Sequence, residues 1–277
     1  MPELPEVEAV CRALEPYLTQ ARITDVELRR PDLRMPFSPR FRNRLRGQTV
    51  VALTRRAKYL LATLSSTETL LMHLGMSGSF HIAVPGEEVR VPSAEPDRHD
   101  HVVFHMATGT IITFNDPRRF GLMELQTESQ LARHPVLSRL GPEPLSPAFD
   151  AASLARACRG KSTPLKVALL DQRVVAGLGN IYASEALHAA RLSPRRRAAT
   201  IATPSGAPRE SAYLLTAAIK QVLERAIERT TATTYRSGRF RVYDRDGERC
   251  LRRGCDGTIR RRTQAGRSTF YCPVCQK

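Results

Sequence analysis

Met1-Pro2-Glu3-Leu4-Pro5-Glu6-Val7-Glu8-Ala9-Val10-Cys11-Arg12-Ala13-Leu14 opens the chain, and its reading organises the rest. Pro5 suits a first helical position, and Glu6 and Glu8 complement the positive end of a helix dipole. Val7, Val10, Cys11, Leu14 and Leu18 recur at helical spacing as one apolar stripe. A second residue as small as Pro2 lets the initiator Met1 be removed, which leaves a secondary amine at the head of an anchored helix. An α-amino group titrates at roughly 8, against roughly 10.4 for lysine, so a useful fraction is unprotonated near neutral pH. Such an amine can attack an aldehyde-like carbon and form an iminium. The plain alternative is that Pro2 is an ordinary terminal residue and the glutamates are first-turn acids only.

After this helix, Arg22 to Leu28, Thr49 to Leu53, Leu60 to Leu64, Leu70 to Met72, Gly78 to Val84, His101 to Met106, Thr110 to Phe114 and Leu122 to Leu125 read as short β-prone runs separated by turn residues. They predict an antiparallel sandwich with the first helix attached. The proline-rich stretch around Gly141-Pro142-Glu143-Pro144-Leu145-Ser146-Pro147 ends it. Ala151 to Cys158, Pro164 to Asp171, Asn180 to Ala190 and Arg209 to Thr230 then accept helical periodicity. In the last of these, Leu214, Leu215, Ala218, Ile219, Val222, Leu223 and Ile227 are expected on one side. The fold class is therefore α+β. The expected division is a domain over 1–130, a linker over 131–152, a helical domain over 153–235 and a small metal-bound finger over 236–277.

With 277 residues, 42% of them hydrophobic, the chain can build one large or two ordinary cores. There is no apolar run of membrane-spanning length and no signal-peptide pattern, so the expectation is a cytoplasmic protein without a membrane partner. Forty-three Lys and Arg against twenty-seven Asp and Glu give a net charge of +16, which calls for a polyanion, nucleic acid first. The excess is uneven: Arg236 to Lys277 holds twelve basic and four acidic residues.

Cys250-x4-Cys255, sixteen intervening residues, then Cys272-Pro273-Val274-Cys275 is a four-thiolate arrangement. Two knuckles joined by a hairpin suit one structural zinc ion and leave no open position for catalysis. Unpaired buried cysteines do not explain two close pairs. The hairpin carries Arg260, Arg261, Arg262 and Arg267, so the metal is expected to stiffen a basic finger that meets phosphate. Gly177-Leu178-Gly179-Asn180 opens a helix whose free N–H groups suit an anion, although a tight helix corner looks the same. Two turn-rich stretches, His73 to Gly78 and Asn115 to Gly121, present Met76, Arg118 and Phe120. An apolar plug, a fork of donors and an aromatic plate are what fills the hole left when a base leaves the DNA stack. Read singly, Met76 and Phe120 are core residues and Arg118 a surface charge.

Together these stretches resemble the formamidopyrimidine-DNA glycosylases, bacterial base-excision enzymes within the wider group that includes endonuclease VIII. The resemblance runs the whole chain: the Pro2 to Glu8 start, Arg56-Ala57-Lys58-Tyr59, His73 to Gly78, Asp116 to Gly121, Leu140 to Leu145, Gly177 to Glu185 and the cysteine finger. Leu4, Val7 and Asp116 to Gly121 look like the purine-directed branch. The resemblance implies a helix-two-turn-helix domain after the sandwich and a monomer acting on double-stranded DNA that contains oxidised bases or abasic sites. It implies removal of oxidised purines through a Schiff base on Pro2, followed by β,δ-elimination. Glu3 becomes the acid/base for sugar ring opening and Glu6 the carboxylate that positions water. Lys58 moves a proton in β-elimination, and Arg267 serves δ-elimination and grips phosphate. His99, Arg118, Lys161 and Asn180 align with DNA contacts, with His73 and Lys166 as further candidates beside Met76 and Phe120. Two rivals stand beside this reading: endonuclease VIII-like action on oxidised pyrimidines, and a damaged-DNA-binding protein without catalysis. Two departures are visible. The connection from Thr230 to Tyr243 is shorter than in the family, which bears on lesion preference, and the first knuckle has four intervening residues where two are usual.

Overall fold

The computed structural model describes residues 2–86, 97–230 and 240–277, so most of the shortened Thr230 to Tyr243 connection lies outside the described residues. The chain divides into two compact units: Met1–Pro2 with Glu6–Ser138, and Glu3–Pro5 with Arg139–Lys277.

Helix α1 (Leu4–Leu18) begins one residue before Pro5, and Val7, Val10, Cys11, Leu14 and Leu18 are all buried, as their spacing requires. In the first unit, strands β1 (Ile23–Leu28), β6 (Asp100–Met106), β7 (Ile111–Asn115) and β5 (Ser79–Ala83) form one antiparallel sheet in the order β1-β6-β7-β5. Strands β2 (Val50–Arg56), β3 (Tyr59–Leu64), β4 (Thr69–His73) and β8 (Leu122–Gln126) form the other in the order β2-β3-β4-β8. The two sheets make the sandwich. Alternation is plain in β3, where Leu60, Ala62 and Leu64 are buried and the residues between them are half-buried. Two five-residue helices, α2 (Phe41–Leu45) and α3 (Glu128–Ala132), complete this unit.

The second unit packs α4 (Ala151–Cys158), α5 (Leu165–Leu170), α6 (Asn180–Ala189) and α7 (Glu210–Arg229) around an apolar core that includes Phe149, Leu154, Leu187 and Leu223. In α7 the expected stripe needs one correction. Leu215, Ala218, Ile219 and Leu223 are buried, but Leu214 is 50% exposed, because at about 100° per residue it stands about 180° around the helix from Leu223. The chain ends in a hairpin of β9 (Arg260–Gln264) and β10 (Arg267–Tyr271) over a small core of Val242, Ile259 and Phe270. Among the described residues, no helix is long and apolar enough to cross a membrane.

Candidate active site and nucleic-acid interface

Pro2 is buried, and the residue beside it is fixed by the second unit. Glu3, 2% exposed, accepts from the main-chain N–H of Ile181 (2.8 Å) through Oε1 and of Tyr182 (3.3 Å) through Oε2. Leu4 N–H donates to the Gly177 carbonyl (3.1 Å). The glycine turn is needed for this approach: Gly177 has φ +81, and a Cβ at Gly179 would run into the Glu3 carboxyl. The anion expected at the start of α6 is thus the protein's own carboxylate.

Asn180, the first residue of α6, is held from two sides. Its Nδ2 donates to the Ser268 carbonyl (3.0 Å), and its Oδ1 accepts from Lys166 Nζ (2.6 Å). Lys166 is fully buried, and its other two bonds go to the Ser268 carbonyl (2.9 Å) and Thr269 Oγ1 (2.8 Å). Burial pushes its ammonium down to about 8, with Glu3 opposing the shift and Arg267 adding to it. Arg267 is exposed as the first residue of β10, next to the Ala265-Gly266 turn in which both residues have positive φ. Lys161 is half-buried in the loop after α4, where its carbonyl accepts from Ala199 N–H (3.0 Å). Glu185, in the same helix as Asn180, is 7% exposed and collects three successive main-chain N–H groups, from Arg241, Val242 and Tyr243, at 2.8 to 2.9 Å.

In the first unit, Asp116 is fully buried and joins the two turn-rich stretches. Its Oδ2 accepts from Gly121 N–H (2.7 Å), and its Oδ1 accepts from Ser77 Oγ (2.5 Å) and Arg118 N–H (3.3 Å). Gly75, at φ +62, lies so close that a Cβ there would meet the Phe120 main chain. Met76 (38% exposed) and Phe120 (44%) therefore stand on loops that are tied together, and the Arg118 guanidinium lies 4.9 Å from the Phe120 ring centroid. The exposure of all three is the opposite of a core role. His73 accepts from Gly75 N–H through Nδ1 (3.0 Å), and burial, reinforced by Lys58 and Arg34, pushes it down to about 4, so its ring is neutral near pH 7. Lys58, 6% exposed, sits in the tight turn between β2 and β3 where Ala57 has φ 53. Glu6 is 4% exposed in the first turn of α1. His99 is half-buried, and its carbonyl accepts from Asp116 N–H (3.0 Å).

The four cysteines meet. Their Sγ atoms lie within 4.8 Å of one another, with Cys250–Cys275 at 3.9 Å and Cys255–Cys272 at 3.6 Å. A tetrahedron with zinc–sulfur bonds of about 2.3 Å has edges of about 3.8 Å, so the donor set fits one zinc ion held by Cys250, Cys255, Cys272 and Cys275. The longer first knuckle closes through a turn, Cys255 N–H to the Arg252 carbonyl (3.0 Å). At Gly257 a Cβ would lie 2.5 Å from Cys272 Sγ, so a larger residue there would displace a ligand.

Sequence reasoning missed the roles of Asp116, Glu185 and Gln276, which accepts from Cys272 N–H (2.8 Å) and donates to the Leu192 carbonyl (2.9 Å). For Asp116 a signal existed, since Asp-Pro before Arg-Arg-Phe-Gly is turn chemistry. Glu185 acts on partners far along the chain, and Gln276 joins the nearby Cys272 to the distant Leu192, and nothing local marks either role.

An antiparallel sandwich, and a helical unit with a four-cysteine hairpin and with Glu3 docked on a helix start, together define a class of zinc-finger DNA glycosylases. Three family models match in order: the formamidopyrimidine-DNA glycosylase N-terminal domain over residues 1–123, the H2TH domain of the same enzymes over 140–237, and a zinc finger found in FPG and IleRS over 247–277. The chain belongs to the formamidopyrimidine-DNA glycosylase family. It is 55% identical over 294 aligned positions, covering all of both chains, to the formamidopyrimidine-DNA glycosylase of Bradyrhizobium diazoefficiens, and equally similar over 293 positions to that of Rhodopseudomonas palustris. Among solved structures, the Lactococcus lactis enzyme bound non-covalently to DNA containing an AP site is 32% identical with a TM-score of 0.85, covering 99% of each chain. The same enzyme in complex with DNA containing an oxidized pyrimidine has a TM-score of 0.86 at 32% identity, covering all of both chains.

Proposed function

We propose that the protein is a bifunctional DNA glycosylase and abasic-site lyase that removes oxidised purines, 8-oxoguanine and formamidopyrimidines, from double-stranded DNA. Its relatives carry the name of this activity. After Met1 is cut away, the lone pair of the Pro2 nitrogen bonds to the sugar's anomeric carbon, the base leaves with the electrons of its glycosidic bond, and the amine gives up its proton. Glu3 protonates the ring oxygen as the sugar opens, which leaves an iminium. The iminium acidifies the neighbouring carbon. Lys58 assists the proton transfer by which β-elimination breaks the 3′ phosphate bond, and Arg267 assists δ-elimination at the 5′ side. Glu6 positions the water that releases the adduct. Met76, Arg118 and Phe120 fill the vacancy of the everted base, while His73, His99, Lys161 and Asn180 serve the DNA around it. Lys166, whose donors are engaged by protein acceptors, serves the same site by holding Asn180 and the strand that begins at Arg267. Bound zinc supplies rigidity to the finger. The protein works as a monomer in the bacterial cytoplasm on nucleoid DNA, with 131–152 linking its catalytic and DNA-binding parts.

What carries this reading is the Glu3 carboxylate, anchored to two N–H groups one residue from the nucleophile, so that the reacting end of the chain is positioned and not frayed. Borohydride reduction with abasic DNA is expected to leave a covalent complex on the processed wild type. Absence of an adduct would favour a binding protein without catalysis. Mass spectrometry showing Met1 retained with strand nicking intact would remove Pro2 from the mechanism. A second reading, action on oxidised pyrimidines, is favoured by the Lactococcus complex with such DNA. Excision measured on 8-oxoguanine and thymine-glycol duplexes separates the two.

A further inference from the structure

The four cysteines supply the metal's ligands, and two further side chains reach ligand sulfurs: Arg252, within the finger, bonds Cys275, and the second comes from α6. His188, near the end of α6 and 3% exposed, places Nε2 3.4 Å from Cys250 Sγ. A zinc-bound thiolate carries no proton, so the hydrogen of this contact belongs to the imidazole and the ring donates. The carbonyl of the same histidine accepts from the guanidinium of Arg252, two residues beyond Cys250. Helix α6 is therefore fastened to the finger at three levels. Asn180 bonds the Ser268 carbonyl at its start, Glu185 gathers the amides of Arg241, Val242 and Tyr243 in its middle, and His188 reaches Cys250 at its end. The first two attachments are to main chain and need no metal. The third is made to a ligand atom.

We infer that His188 is a positioning residue of the metal site: its Nε2–H donates to the Cys250 thiolate and ties the bound zinc ion to the C-terminal end of α6. Four thiolates around one divalent ion carry a net charge of about −2, which a largely buried site tolerates only with donors that spread it. A hydrogen bond to sulfur draws electron density away from it. The thiolate becomes less basic and less ready to take a proton and leave. Zinc occupancy is thereby felt in the helix whose first residue, Asn180, is assigned to the DNA site. The inference rests on the zinc reading of the four cysteines.

The test uses the full-length zinc protein, wild type and two variants. His188→Phe keeps an aromatic ring without the donor, and His188→Gln keeps an N–H donor. Zinc transfer to a chromogenic chelator is expected to be about 10- to 100-fold faster from His188→Phe, the usual effect of losing a partner behind a metal ligand, and near wild type from His188→Gln. In the cobalt-substituted proteins, the sulfur-to-cobalt charge-transfer band is expected to move to lower energy in His188→Phe and back in His188→Gln, a shift that lost packing alone does not produce. A third measurement needs no variant: wild type loaded with NMR-active cadmium should show scalar coupling between the metal and the His188 Nε2 proton. Unchanged release with an unchanged band in His188→Phe, a His188→Gln variant indistinguishable from His188→Phe, or absence of the cadmium coupling each overturns the proposal. Wild type that contains no zinc by elemental analysis overturns the zinc reading itself, a result separate from the other three.

Discussion

Asp116 and Glu185 do the same work in different ways. Each is a buried carboxylate that saturates itself with donors from a loop and so holds that loop in place. Asp116 draws on its own neighbourhood: two of its three partners, Arg118 and Gly121, lie within five residues, and the third is the Ser77 hydroxyl. All three of Glu185's partners lie 56 to 58 residues further along the chain. A local clamp shapes a turn that was already inclined to form. A distant clamp decides where a whole element goes, and its loss sets that element loose.

The largest effect is expected from Glu185→Leu. It strands three amides, each costing about 1–3 kcal/mol, for a total on the order of 4 kcal/mol or more. Denaturant unfolding should show the loss, and Glu185→Gln, which keeps one acceptor oxygen, should show about half of it. A loss under about 1 kcal/mol for Glu185→Leu would mean that the segment is held elsewhere, and the contrast with Asp116 would collapse. Cys272→Ser comes next: zinc and DNA affinity should fall together, and unchanged DNA binding would show that the finger is incidental. Asp116→Asn turns one acceptor into a donor against the Gly121 N–H and should cost about 1–3 kcal/mol. Hydrogen exchange should quicken in residues 73–78 and 115–121 while zinc content stays at wild type. Faster zinc loss in this variant would mean that the clamp is not local.

The remaining effects are slopes with pH, at most about 1.4 kcal/mol per pH unit for each group, and the two share a sign but lie in different windows. His73 titrates at about 4 in the fold, against about 6.5 for a free histidine, so between those values the unfolded chain binds the proton first and stability falls as pH drops. Lys166 titrates at about 8 in the fold, against about 10.4 when free, so across that window the unfolded chain keeps a proton the native state has lost, and stability rises with pH. Difference curves against His73→Gln and Lys166→Met should isolate the two slopes, the first on the acid side only and the second on the alkaline side only. A flat difference curve would mean that the corresponding side chain is not held as described.

The same divide between near and far explains what the sequence made legible. Strand positions came through β-prone runs between turn residues, and α1 through its stripe, because those signals are local. Helix α2 left no such trace, since Phe41 and Leu45 are its only buried residues and two positions make no period. Helix α3 did leave one: Thr127 and Gln130 form a reciprocal capping box, whose Thr-x-x-Gln spacing is visible in the sequence. The cysteine spacing pointed to the metal ligands, but not to His188, which reaches the finger from elsewhere in the chain, nor to Gln276, which joins the finger to the Leu192 carbonyl outside it. The Pro2-Glu3 start pointed to a nucleophile, yet the partners that orient Glu3 lie 178 and 179 residues away. Asp116 stands in the sequence beside the more conspicuous Arg118 and Phe120 and proves to be what ties their loop to that of Met76.

That Glu3–Pro5 folds with the later half of the chain has a consequence for biosynthesis. Glu3 is translated early, but the amides of Ile181 and Tyr182 that hold its carboxylate are translated long afterwards. A nascent chain therefore carries this carboxylate unseated, and a product cut short before Ile181 cannot seat it at all.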